Sequence, residues 1–180
     1  SGPELHRGQQ IAYARAAARA LGADPEQIYK TLVVALEGAS DAEPALALAV
    51  VASNTELSEK RVAAELGAKR ARLADVATAE RATGYVVGGI SPLGTRRRLP
   101  VLLDATALRQ QHIYVSAGAR GRSVGLAPAT LLQATGGTVH FRYLVHNDGD
   151  VPIPGPVTID DPAAGDAACP DLVTIGDFDD

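Results

Sequence analysis

Apolar residues recur along this chain at two different spacings, and the changes between them mark out the elements. Residues 9–21 place Ile11, Ala14, Ala18 and Leu21 on one face at helical spacing, with Gly22 set to stop the run. Asp24-Pro25-Glu26 then combines a helix-capping acid, a first-turn proline and an early carboxylate, which reads as a compact restart. From Lys30 the pattern turns continuous and β-branched through Thr31, Leu32, Val33 and Val34, as in a buried strand. A turn at 38–43 leads to a second apolar run, Ala45 to Ala52, expected to be its hairpin partner.

Ser58 to Leu66 predicts a helix capped by Ser58 and stopped by Gly67. A short strand follows at Lys69–Leu73, and Asp75 is placed to cap a turn of helix at Val76–Ala82. Thr83 to Thr95 is too rich in Gly and Pro for regular structure throughout. Strands are expected at Leu99–Asp104, His112–Ser116 and Ser123–Leu126, a short helix at Pro128–Ala134, and a final strand at Thr138–Val145. Strands outnumber helices and lack regular long crossovers. The fold class this predicts is α+β: a mixed, mostly antiparallel sheet with flanking helices.

Composition divides the chain. Nine of its 21 acidic residues and none of its 17 basic ones lie in 147–180, so residues 1–146 carry 17 basic against 12 acidic side chains. Two regions follow: a mildly basic domain, 1–146, able to approach a polyanion, and an acidic, Pro/Gly-rich extension, 147–180. The extension reads either as unstructured chain or as carrying a strand at Val157–Ile159 or Leu172–Ile175. With 4% aromatics and neither Trp nor Met, the core must be built from Ala, Val, Leu and Ile. Arg outnumbers Lys 14 to 3. Cys169 is the lone cysteine, which excludes an intrachain disulfide framework and makes a reducing, cytoplasmic setting the expectation. No stretch is long enough for a membrane span. The opening Ser1-Gly2-Pro3 and the missing Met read as a trimmed start.

The densest candidate for chemistry is Thr83-Gly84-Tyr85-Val86-Val87-Gly88-Gly89-Ile90-Ser91-Pro92-Leu93-Gly94. Paired glycines let backbone N–H groups converge on an anion, including the oxyanion formed when an ester is attacked. Composition alone equally gives a β-turn followed by a proline-stiffened loop. The segment is no P-loop, since no Gly-Lys-Ser/Thr closes it, and it lacks the dinucleotide G-x-G-x-x-G spacing. Arg96, Arg97 and Arg98 follow at once and suit phosphates or a plain solvated turn, as do Lys69, Arg70 and Arg72. Lys30 opens a core strand in a chain that otherwise prefers arginine, which hints at a need for an ammonium; a lysine snorkelling to water gives the same pattern. Ser116 lies at a glycine turn, but His6, His112, His140 and His146 show no triad spacing and make no metal set with Cys169.

Taken in order, these motifs resemble the YbaK family, relatives of the editing domain inserted in bacterial prolyl-tRNA synthetases. The likeness runs from His6 to Tyr143: Leu21-Gly22, Tyr29-Lys30-Thr31-Leu32, Leu66-Gly67-Ala68-Lys69, the long glycine motif through Gly94, Leu99-Pro100, Asp104, Val115-Ser116, Gly118 and Arg120-Gly121. The resemblance implies a trans-acting deacylase that removes a wrong amino acid, cysteine first, from tRNA(Pro) or tRNA(Cys), with no metal or organic cofactor. It implies catalytic roles for Lys30, Gly88 and Gly89, and a substrate pocket of Tyr13, Thr31, Ser91, Pro92 and Ser116. Arg96, Arg97, Arg98 and Arg120 are the expected tRNA contacts, and a synthetase such as prolyl-tRNA synthetase is the expected partner. In cysteine-specific members the substrate's own thiol is thought to attack, releasing a cyclic thioester. Two positions depart from the family pattern. A leading strand ending in Tyr-x-His-Asp-Pro is replaced by Glu4-Leu5-His6-Arg7-Gly8, and a pocket acid by Ser123. The alternatives are a non-catalytic module for tRNA ends or a synthetase, a deacylase for alanine or another small amino acid, and a hydrolase of some other acyl ester.

Overall fold

The first helix, α1 (Arg7–Leu21), buries Ala14 and Ala18 of the face marked by the helical spacing, while Ile11 is half-buried and Leu21, at its end, is exposed. Asp24 then caps a single 3-10 turn, Pro25–Gln27, through a reciprocal pair of bonds with Gln27. This turn launches β1 (Tyr29–Glu37), which pairs antiparallel with β2 (Ala45–Ala52), Tyr29 opposite Ala52 and Leu36 opposite Ala45. This is a computed structural model, and it describes residues 7–38, 45–136 and 138–139, with strand segments at 153–154, 157–161, 165–169 and 174–175. The turn expected at 38–43 and the replaced segment at 4–8 therefore fall largely outside the described residues.

Ser58 and Asp75 cap α2 (Glu59–Glu65) and α3 (Val76–Thr83), each side chain accepting a backbone N–H of the first turn. Between these helices, β3 (Arg70–Leu73) joins the free edge of β1. On the other side, β4 (Val101–Leu103) adds parallel to β2. Two further strands, β5 (Ile113–Ser116) and β6 (Ser123–Leu126), form a separate antiparallel hairpin, followed by α4 (Pro128–Thr135) and β7 (Thr138–Val139). The main sheet runs β3-β1-β2-β4-β7, antiparallel across β1 and parallel across β4. The final strand expected at Thr138–Val145 is described only over its first two residues.

Strand alternation gives this sheet two buried faces. Tyr29 and Val33 join Leu46, Leu48, Val50 and Ala52 on one, under Ala79 and Ala82 of α3 and Leu131 of α4. Val34, Ala49 and Val51 face the other, under Val62 and Ala63 of α2. Sheets buried on both sides read as unbroken apolar runs, which is the pattern of 45–52.

The chain forms two compact units, residues 1–140 and 141–180. Within the second, β9 (Val157–Asp161) pairs antiparallel with β10 (Gly165–Cys169), and β8 (Ile153–Pro154) with β11 (Thr174–Ile175). Of the two readings of the acidic extension, strand is found at Val157–Ile159 and, in the second segment, at its described residues Thr174–Ile175.

Candidate active site

Between α3 and β4 the chain is irregular, and the turn of the β5–β6 hairpin closes over it. Tyr85 ties its two ends together. Its hydroxyl donates to Leu93 O at 2.8 Å, and its ring lies so close under Gly118 that a Cβ there would come within 2.7 Å. Val86–Gly89 is a β-turn in which Gly89 N–H donates to Val86 O at 2.9 Å. Gly88, at φ 90, takes the third position of a type II turn, where a positive φ is required and glycine carries no steric cost. The segment is thus a turn followed by a proline-stiffened loop.

Three polar groups of that turn are held by side chains. Val87 N–H donates to Glu80 Oε1 at 2.9 Å. The Ser116 hydroxyl donates to Gly89 O at 2.8 Å, and Arg120 donates to Val87 O through Nε at 3.0 Å and Nη2 at 2.8 Å. The amides consequently alternate. Those of Val87 and Gly89 are used inside the fold, while those of Gly88 and Ile90 have no acceptor among the described residues. The family resemblance implies catalytic roles for Gly88 and Gly89 together. The structure separates them: Gly88 offers an amide, and Gly89 offers room for close approach to the hairpin.

Lys30 is brought to this loop by register. Ile28 bridges Tyr114 in parallel, so two residues further on Lys30 and Ser116 stand at the same level. Lys30 is half-buried, and its Nζ donates to Thr55 O at 2.6 Å. Burial pulls its pKa below the usual lysine value, and the nearby carboxylate of Glu56 only partly offsets that. Beside it, Thr31 is buried on the opposite face of β1, and its hydroxyl has no hydrogen-bond partner among the described residues. The same holds for Ser53, 2% exposed, which the sequence reading missed. Ser53 N–H bonds Ile28 O, which makes Ser53 a diagonal neighbour of Lys30 on one face of the β1–β2 hairpin. A small hydroxyl residue closing an all-apolar run was the available signal.

The remaining candidates divide. Ser91 and Pro92 are buried, and Ser91 Oγ accepts Leu93 N–H at 3.1 Å, so both shape the loop. Tyr13, on α1, is 53% exposed. The three arginines diverge rather than forming one patch. Arg96 lies against Gly84, Arg97 lines a shallow pocket with Arg81, Thr78, Ala82 and Leu46, and Arg98 reaches Gly136. In the other basic cluster Arg72 pairs with Glu37 at 3.3 Å and the stem of Lys69 packs at Gly38, a solvated edge. Ser116 gives its proton to a carbonyl and so is not poised as a nucleophile. Among the described residues no three His, Cys, Asp or Glu side chains gather to hold a metal, and no helix is long and apolar enough to cross a membrane.

Comparison with known proteins agrees with this geometry. Residues 9–134 match the family model described as the aminoacyl-tRNA editing domain. Over 124 residues, 69% of this chain and 73% of its relative, the sequence is 36% identical to EbsC of Enterococcus faecalis, a candidate Cys-tRNA(Pro)/Cys-tRNA(Cys) deacylase. A stretch of 105 residues, 58% of this chain, is 33% identical to a proline–tRNA ligase of Shouchella clausii, of which it spans 17%. Among solved structures, a candidate trans-editing enzyme for prolyl-tRNA synthetase superposes with a TM-score of 0.62 at 29% identity, over 71% of this chain and 76% of that one.

Proposed function

This chain belongs to the aminoacyl-tRNA editing domain family, and on that basis we propose that it is a trans-acting deacylase that clears cysteine from mischarged tRNA(Pro) or tRNA(Cys) in the cytoplasm. The observation that carries the reading is the Gly88 amide, presented without an acceptor among the described residues on a turn held from behind and beside the level of Lys30. An aminoacyl ester is already activated, so the task is to hold it and to stabilise the negative charge that grows on its carbonyl oxygen. One well-placed backbone donor contributes about 10²–10³ in rate to such a step. The half-buried Lys30 ammonium holds the substrate's terminal groups, Ser116 and Tyr13 line the pocket, Ser91 and Pro92 shape its loop, and Thr31 backs the strand from its other face. Arg96, Arg97 and Arg98 meet RNA phosphates separately. A synthetase that produces the mischarged tRNA, prolyl-tRNA synthetase first, is the natural partner.

No protein nucleophile is needed if the substrate supplies one. The thiolate of the esterified cysteine attacks its own carbonyl carbon. A C–S bond forms, the C–O bond to the ribose breaks, and the ribose oxygen takes up a proton. Single-turnover cleavage of Cys-tRNA(Pro) is expected to release a cyclic thioester first, with free cysteine following as it hydrolyses. Free cysteine appearing with no cyclic thioester ahead of it, even when a thiol-reactive trap is present, would assign the attack to water and leave the deacylase in place. Spontaneous rates throughout would remove the deacylase as well.

A further inference from the structure

We infer that Arg120 is a positioning residue that locks the Val87–Gly88 peptide in the orientation exposing the Gly88 amide; this rests on the deacylase reading above. The sequence groups Arg120 with the arginines that meet RNA, but the fold uses its guanidinium internally. Nε and Nη2 both donate to Val87 O, at 3.0 and 2.8 Å, so one rigid fork occupies one carbonyl oxygen.

The consequence follows from peptide planarity. In a trans peptide the C=O and the following N–H point in opposite directions. Fixing Val87 O on Arg120 therefore turns the Gly88 N–H away from the hairpin. Val87 and Gly88 occupy the two central positions of the Val86–Gly89 turn, and type I and type II turns differ by reversal of the peptide between those positions. Glycine at the third position tolerates both, so the turn by itself specifies neither. Gly88 at φ 90 records the type II choice. With the fork removed, the turn is free to reverse, which carries the Gly88 N–H to the hairpin side and takes the oxyanion donor away. Ser116 fixes the next peptide but one in the same manner through Gly89 O, at 2.8 Å.

The test uses the full chain with Arg120→Gln and Arg120→Lys, neither of which can place two forked donors on one oxygen. Two readouts are needed: kcat and KM for Cys-tRNA(Pro), and the Val87 carbonyl and Gly88 amide resonances measured by NMR without substrate. The expected result is a kcat lowered by about 10-fold or more, against the 10²–10³ of complete loss of one donor. KM should stay within about 2-fold, and both resonances should shift or broaden, Arg120→Lys less than Arg120→Gln. A raised KM with unchanged kcat and a weaker dependence on salt would make Arg120 an RNA contact and overturn the inference. Unchanged Val87 and Gly88 resonances in Arg120→Gln would overturn it too, whatever the activity. A wild-type chain that deacylates nothing would fail the deacylase reading, and the NMR comparison would still decide whether Arg120 holds the turn.

Discussion

Lys30→Ala is expected to lower deacylation of Cys-tRNA(Pro) by between about 10- and 100-fold, the range set by losing one charge-assisted hydrogen bond of about 1.5–3 kcal/mol. Substrate binding carries part of this loss, since the ammonium acts on the bound ester and not on the folding of the loop. The lysine sits at the start of β1, level with the hairpin that holds the glycine turn, and is half-buried there with Nζ on Thr55 O. Its pKa lies below the ordinary lysine value because burial disfavours the ammonium. The Lys30-dependent part of the rate should therefore fade as pH climbs through that lowered value, and Lys30→Ala should show no such limb. Stability moves the other way. Between the lowered and the ordinary value the unfolded chain binds more protons than the folded one, so this group's contribution to stability increases with pH across that window. Deacylation followed from neutral to alkaline pH in both proteins, each corrected for spontaneous hydrolysis, checks both statements about rate.

Gly89→Ala is expected to cost more, about 10²-fold or above in kcat, with a loss of about 1–3 kcal/mol in stability. A methyl group at this position would lie 2.9 Å from Arg120 N, 3.0 Å from Ala119 C and 3.1 Å from Ala119 Cα. All three are backbone atoms and cannot swing aside like the end of a side chain. Relief requires the loop and the hairpin to part, which pulls Gly89 O off Ser116 and Val87 O off Arg120. Activity and urea unfolding of the variant test the two halves separately. A variant that keeps its rate while losing stability would show that loop–hairpin contact is structural only.

Why Gly89 matters was not legible in the sequence, although its presence in a motif was. Local chemistry read well. The capping acids and serine at 24, 58 and 75, the apolar run of β2 and the end of α3, one residue past the expected Ala82, all depend on residues within a few positions of one another. The mixed sheet was legible in class, but its parallel half was not. β4 finds β2 through the register Leu48 opposite Val101, a pairing across some fifty residues on which neither strand's own pattern bears. The same limit governed the site. Arg120 and Val87 are 33 positions apart, so composition could count an arginine but could not say that its fork was already occupied. Gly88 and Gly89 look identical as letters; only the bond from Gly89 N–H to Val86 O distinguishes the amide that is used from the one that is offered. Ser53 showed in the sequence only as a small hydroxyl residue ending an apolar run; that it is buried with no hydrogen-bond partner among the described residues is a property of packing.

The most direct measurement is deacylation of purified Cys-tRNA(Pro), Ala-tRNA(Pro) and Pro-tRNA(Pro) by the full chain, each against its own spontaneous rate. The account predicts rapid loss of cysteine, slower or no loss of alanine, and proline left on its tRNA. Three substrates decaying at their spontaneous rates would contradict it and leave a domain that binds tRNA ends or a synthetase without turnover.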